Sequence, residues 1–384
     1  MAMANSPCDG QARERPNTLD ELANAPVIEP VGTVPTPTFE ECVLTVLSPN
    51  RPETHVHEAA EGLWTMHAGP KSPIVVYGRP VVSAKRVGRE ELHRHADGAR
   101  ALTSFRPEWM RRQLMPRIIP RRVPARMQRI MDWDYGIQAG LHEGQLTSDG
   151  LAFSELADRG WPWCTVGQLL INAPGQPQKG GSAVLVGPNL ILTASHAVPW
   201  DAPDGSWTML FTPAYRSTDP TPKPYGESYV AEVRGHVTHE DDVNANDYVI
   251  AKLYTPLGNS VGWMGSQSFG NDDSYQGHHM WSSAGYPVSS GGVPFFASNV
   301  EVTDVDSSGD GRELETSDFL MGGWSGGPLV GFFGLDPRVL GVASGHQTEF
   351  SVGWLHVTQT NSVFAGGKHM IDLVKYGYAN WPVP

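Results

Sequence analysis

The chain has 384 residues, of which 40% are hydrophobic and 18% charged, with 42 glycines, 32 prolines and a formal net charge of −13. That length suits one large or two ordinary domains and a sizeable core, while the acidic balance argues against nucleic acid as the main partner. No apolar run approaches the roughly eighteen residues of a membrane span, and abundant Gly and Pro between short apolar runs favour a turn-rich all-β fold.

Residues 1–40 are rich in Pro, Ala, Asn and acids and are expected to form a disordered N-terminus. The opening stretch Met1–Cys8 has neither a basic start nor an apolar core, so no signal peptide is expected. Short β-like runs such as Ser72–Tyr77 occupy residues 60–85, and residues 86–100 read as a charged helix. His55/His57 and His93/His95 are His-x-His pairs. On a strand that spacing places both rings on one face, which suits zinc; with no companion cysteine cluster, a solvated surface is the reading adopted. Residues 106–129 carry Arg106, Arg111, Arg112, Arg117, Arg121, Arg122, Arg126 and Arg129, interrupted by Pro116, Pro120 and Pro124. Prolines break any helix there, so the stretch reads as a linker. A polyanion-binding patch and packing on acidic surface of the same chain are the open alternatives. The expected division is a disordered N-terminus over 1–40, an extension or pro-segment over 41–153, and one domain over 154–384. Three cysteines, Cys8, Cys42 and Cys164, allow at most one disulfide.

The pattern changes at Trp161. The run Trp161–Ile171 reads as a first strand, followed by Gly181–Val186 and Asn189–Ala194 as a hairpin across Gly187-Pro188. Further strands are expected at Trp207–Phe211, Tyr229–Thr238, Tyr248–Leu253, His279–Gly285, Ala297–Val305, Leu329–Phe333, Val339–Ser344 and Trp354–Thr358. Short strands at this spacing suit paired Greek-key barrels. Apolar residues Met370, Ile371, Leu373 and Val374 predict a short helix over 368–376. Asp304, Asp306, Asp310 and Glu315 fit the acidic positions of a calcium loop around Gly309. Their flanks read as strands, so a bare hairpin tip is the expectation and a metal the weaker candidate.

Three stretches carry chemistry. In Leu190–Val198 an apolar β-branched run ends in small residues and then His196, as when a buried strand delivers a histidine at its end. In Asn246–Leu253 Asp247 opens an alternating strand, where a buried carboxylate can hold a histidine in one tautomer. In Met321–Leu329 Ser325 sits among glycines, which let the backbone turn tightly and aim successive N–H groups into one space. A hydroxyl there becomes a nucleophile only if a base takes its proton and donors meet the oxyanion.

Together, Thr-Ala-Ser-His, Asn-Asp-Tyr-Val-Ile-Ala-Lys-Leu and Gly-Gly-Trp-Ser-Gly-Gly-Pro-Leu, in the order His, Asp, Ser, resemble the chymotrypsin-like serine proteases over roughly residues 155–384. Gly285-Tyr286-Pro287 and the lack of paired cysteines look like the glutamyl endopeptidase branch. The resemblance implies two six-stranded Greek-key β-barrels with a short C-terminal helix, preceded by an irregular N-terminal extension. It implies a serine endopeptidase working through an acyl-enzyme, with His196, Asp247 and Ser325 as the triad and Gly323 and Ser325 N–H groups as the oxyanion hole. Phe319, Leu320 and Met321 would wall the specificity pocket, with Ala343 and Ser344 opposite, and Ser344–Gly345–His346 would pair with substrate main chain. Ala343 stands where the glutamyl branch has a histidine, which argues for an uncharged substrate side chain. Trp324 stands where trypsin relatives carry the aspartate that binds a new N-terminus. The expected partners are protein or peptide substrates, with no cofactor, no nucleic acid and a monomeric state. The family favours secretion. The alternative is an inactive protease-like binding module.

Overall fold

The computed structural model describes residues 15–32, 54–60, 63–68, 73–74, 83–94, 99–120, 154–157, 159–236, 245–316, 320–350 and 358–383. Its frame is a repeated strand order. The first six strands are β1 (Val166–Asn172), β2 (Lys179–Leu185), β3 (Leu190–Thr193), β4 (Thr208–Pro213), β5 (Ser228–Gly235) and β6 (Val249–Leu253). They pair antiparallel in the order β4-β1-β2-β3-β6-β5, and β4 pairs back with β5, so the sheet closes. The next six are β7 (Gly277–Gly285), β8 (Phe295–Ser308), β9 (Gly311–Thr316), β10 (Pro328–Phe333), β11 (Asp336–Phe350) and β12 (Thr358–Gly367). Their order, β7-β10-β11-β12-β9-β8 with β7 pairing β8, is the same circuit repeated. Closure removes exposed sheet edges and gives each barrel an interior for its alternating apolar side chains. Trp207, Phe211, Ile191 and Val233 fill the first, and Trp281, Val300, Leu314 and Phe364 the second, all buried.

The predicted strands that fall on described residues are present, with shifts that have local causes; the expected strand Trp354–Thr358 lies, but for Thr358, outside them. Trp163–Thr165 is a tight helical turn, so the first strand begins at Val166. The last strand runs over Thr358–Gly367, because β9 and β11 pair with it on both sides despite its glycines. Residues 351–357 lie outside the described residues. The terminal helix is longer than predicted, Lys368–Asn380, and its Tyr378 hydroxyl donates to Val186 O at 2.7 Å.

The N-terminal third is less separate than its composition suggests. Leu19–Ala23 forms a helix, α1, inside the stretch expected to be disordered. Thr18 and Glu21 cap it reciprocally, and Leu22 is buried in the core. Ser83–Arg86 adds to β5 as a parallel strand, and Arg89–His93 forms helix α2, with Leu92 buried. Met110 and Leu114 join the same core, and Trp163 Nε1 donates to Leu114 O at 2.9 Å. The arginine stretch packs over its described part: Arg112 pairs in β-fashion with Ile28 and Trp161, and Arg111 approaches Glu29 at 3.4 Å. Arg121, Arg122, Arg126 and Arg129 lie outside the described residues, as do Cys8, Cys42 and His95. Composition averages over such segments, whereas their folding is decided by a few apolar side chains that find the barrel.

Candidate active site

β3 runs through the first barrel and ends at Thr193, and a short turn over Ser195–Ala197 then presents His196 at its mouth. Asp247 sits just before β6, its neighbour in the sheet. The pairing brings the two together: His196 N–H donates to Asp247 Oδ1 at 2.9 Å, and His196 Nδ1 lies 2.7 Å from Oδ2. Asp247 is 1% exposed, whereas the His196 ring stays partly open to solvent. A carboxylate on Nδ1 leaves Nε2 as the lone-pair nitrogen. Ser344 Oγ, from the second barrel, also hydrogen-bonds Asp247 Oδ2.

The serine loop is held from both barrels. Gly323 and Gly326 adopt φ of +93° and +82°, in the left-handed region that favours glycine. Ser182 of β2 donates its backbone N–H to Ser325 O at 2.8 Å and its hydroxyl to Gly323 O at 2.9 Å. Gly326 N–H donates to Ala343 O at 2.8 Å, and Ala343 N–H returns to Gly327 O at 2.8 Å. A Cβ on Gly326 would meet Thr193 Oγ1 at 2.1 Å and Ala194 N at 3.0 Å, so the serine loop abuts the end of the strand that delivers His196. The N–H groups of Gly323 and Ser325 have no hydrogen-bond partner among the described residues. Nor does a hydrogen bond close from Ser325 Oγ to His196 among them; such contacts are often long in unliganded sites and tighten on binding.

Trp324 is buried under this loop. Its indole donates to Ser283 Oγ at 2.9 Å, and a Cβ on Gly285 would fall 2.8 Å from its ring. The Trp324 side chain is thus fixed by a hydrogen bond and by close packing. Nothing in the strand pattern marked Ser182 or Ser283, two ordinary hydroxyls that matter only because the fold turns them toward the loop.

Among the expected pocket residues, Leu320 and Met321 are buried, with Leu320 N–H donating to Ser362 Oγ at 3.1 Å and Met321 Sδ 3.8 Å from Ser289 Oγ. Ala343 is buried beside Ser344. β10 pairs with β11 only as far as Val342, so among the described residues the backbone of Ser344–His346 has no strand partner on the β10 side. Phe319 lies outside the described residues. The suspected calcium residues are not wrapped in a loop. They belong to the β8–β9 hairpin, with Asp304 opposite Glu315 and Asp306 opposite Glu313. Asp304 accepts the Val305 N–H at 2.8 Å, and Asp306 gathers with Glu313 and Glu315 while Asp310 turns elsewhere. Burial raises the Glu313 carboxyl above its usual range, and nearby Asp306 adds to this.

The chain forms two closed antiparallel six-stranded barrels of one topology, followed by a terminal helix. This is the fold of the chymotrypsin-like serine proteases. No family model and no curated protein matches the sequence. Solved structures that it resembles include a Glu endopeptidase in complex with MPD, at 19% identity over 61% of this chain and 99% of that one, TM-score 0.47. Protease Anisep from Arthrobacter nicotinovorans matches at 18% over 57% and 97%, TM-score 0.41. A thermostable serine protease, AL20, from an extremophilic microorganism matches at 18% over 58% and 99%, TM-score 0.38. The barrel topology itself shows the fold.

Proposed function

We propose that the chain is a serine endopeptidase. Ser325 Oγ attacks the scissile carbonyl carbon while His196 Nε2 takes its proton. The carbonyl oxygen becomes an anion received by the Gly323 and Ser325 N–H groups. His196 then gives the proton to the leaving amine, leaving an acyl-enzyme on Ser325. Water, deprotonated by His196, hydrolyses the ester and restores the serine. Asp247 orients the imidazole and stabilises its charged form, and Ser344 fixes Asp247. The observation that carries this reading is the buried Asp247 carboxylate, which holds His196 at two atoms and Ser344 at a third, beside a serine loop with two unpartnered N–H groups. An extended peptide adds along the open Ser344–His346 edge. The buried Leu320, Met321 and Ala343 favour an uncharged side chain in the pocket, since an unpaired buried charge is costly.

A fluorophosphonate probe reacts only with an activated serine, so it should label the protein at Ser325, and labelling should vanish in Ser325→Ala and His196→Ala. Peptide hydrolysis should fall by orders of magnitude in these variants and in Asp247→Asn, with the fold kept. A folded wild-type chain that takes no label would instead be a protease-like binding module.

A further inference from the structure

About the tip of the β8–β9 hairpin, four chain segments bring three histidines and an aspartate together. His93 ends α2, His236 follows β5, and His369 lies in the first turn of the terminal helix. Asp310 stands at the turn between β8 and β9. One ligand atom each from His93, Asp310 and His369 lies within 4.8 Å of the others. The His236 and His369 rings are 5.0 Å apart, centre to centre.

We propose that His93, Asp310 and His369 bind a divalent transition-metal ion, zinc by preference, with His236 or water as the fourth ligand. The tautomers carry the argument. His369 Nδ1 lies 3.2 Å from Asn246 Oδ1, an oxygen to which the Tyr248 hydroxyl also donates at 3.1 Å. An acceptor there places the ring proton on Nδ1 and leaves the Nε2 lone pair facing Asp310 Oδ2 at 3.6 Å. His236 is fixed likewise, with Nδ1 3.3 Å from Val87 O. A ring whose other nitrogen is tied to a carbonyl oxygen is how proteins present a metal-ligating histidine. A lone pair and a carboxylate oxygen repel unless a metal ion, or a proton on Nε2, lies between them. Two donors on one tetrahedral zinc, each at ~2.1 Å, stand ~3.4 Å apart, close to the 3.6 Å observed. Imidazole nitrogens with one carboxylate oxygen suit zinc better than calcium or magnesium.

Arg89 reaches Gly309 on the same turn and opposes a cation, which the Asp310 carboxylate offsets. Lys368 is held by Asp372. Asp310 and His93 are exposed enough to admit an ion, whereas His369 is the buried anchor. An ion here joins α2 to both barrels and the terminal helix. Through Asn246 it also steadies the residue before Asp247. The site is therefore structural, and it tethers the N-terminal segment beside the His–Asp pair.

The test uses the untagged full-length chain carrying Ser325→Ala, so that its outcome is independent of catalysis. The protein is stripped with a chelator, desalted and titrated with Co2+, whose visible bands report tetrahedral nitrogen and oxygen ligation, and then with Zn2+ in competition. One ion per chain is expected, with zinc displacing cobalt. His93→Ala and Asp310→Ala, both at exposed positions, should each weaken binding at least tenfold, with the metal-free melting curve retained. Absence of saturable binding, or unchanged affinity in either variant, overturns the proposal.

Discussion

Leu92→Ala asks whether the N-terminal third is a detachable segment or part of the barrel's folding unit. Leu92 is 0% exposed, in α2, which packs on the terminal helix. Truncating a leucine so buried costs ~2–5 kcal/mol through lost transfer free energy and the cavity left behind. Each kcal/mol moves the melting midpoint of a domain of this class by ~2–4 °C. If α2 unfolds together with the barrels, the single transition should therefore drop by at least ~4 °C, followed by near-ultraviolet dichroism of the buried tryptophans in the barrels. If α2 belongs to a separable pro-segment, the barrel transition should not move. A companion chain beginning at Ser154 lacks Leu22, Val87, Leu92, Met110 and Leu114, all buried. Each such side chain contributes ~1.5–3 kcal/mol, together on the order of the ~5–15 kcal/mol that holds a whole domain folded. That chain should fail to fold. A cooperative melt of the truncated chain at the full-length midpoint, or an unmoved Leu92→Ala transition, would refute the reasoning.

Gly323→Ala should leave the protein folded but cut peptide hydrolysis by ~10²–10³-fold, as for loss of an oxyanion donor. At φ +93° an added Cβ would lie 2.6 Å from Val288 N and 2.9 Å from Tyr286 O; wild-type kcat in the variant would remove Gly323 from the proposed oxyanion hole. Calcium added to chelator-treated protein should leave the melting midpoint unchanged, since strand pairing runs up to Ser308 and Gly311 and leaves no loop to wrap an ion. A midpoint that rises with calcium in differential scanning fluorimetry would overturn that expectation.

Much of the fold was legible because strand periodicity is a local property. Each barrel strand alternates or runs apolar between turn residues, so its existence is written in a few consecutive side chains. The three site motifs were legible for a related reason, since a histidine at a strand end, an aspartate at a strand start and a serine among glycines are each short patterns. Less legible were parts whose stability comes from elsewhere. α1 is five residues long, too short to hold a helix by itself, and it stands because Leu22 is buried. The arginine stretch looked like a linker because its prolines exclude a helix, yet Arg112 finds strand partners far along the chain. His93 reads as solvated surface and is exposed, and Asp310 and His369, whose ligand atoms lie near it, are more than two hundred residues away along the chain.

By itself the sequence indicated most of the barrel strands described between residues 166 and 367 and the three residue types a nucleophilic site requires, because both depend on patterns within a few residues. The tertiary structure decided what those patterns face. β3 beside β6 sets Asp247 under His196, and the two barrels meeting sets Ser182 and Ala343 on the serine loop. It also decided that Trp324 fills the space beneath that loop, and that His93, Asp310 and His369 share one corner. Such contacts join residues distant along the chain. They are fixed by barrel closure and by the burial that orders the ends of the strands, which no local pattern contains.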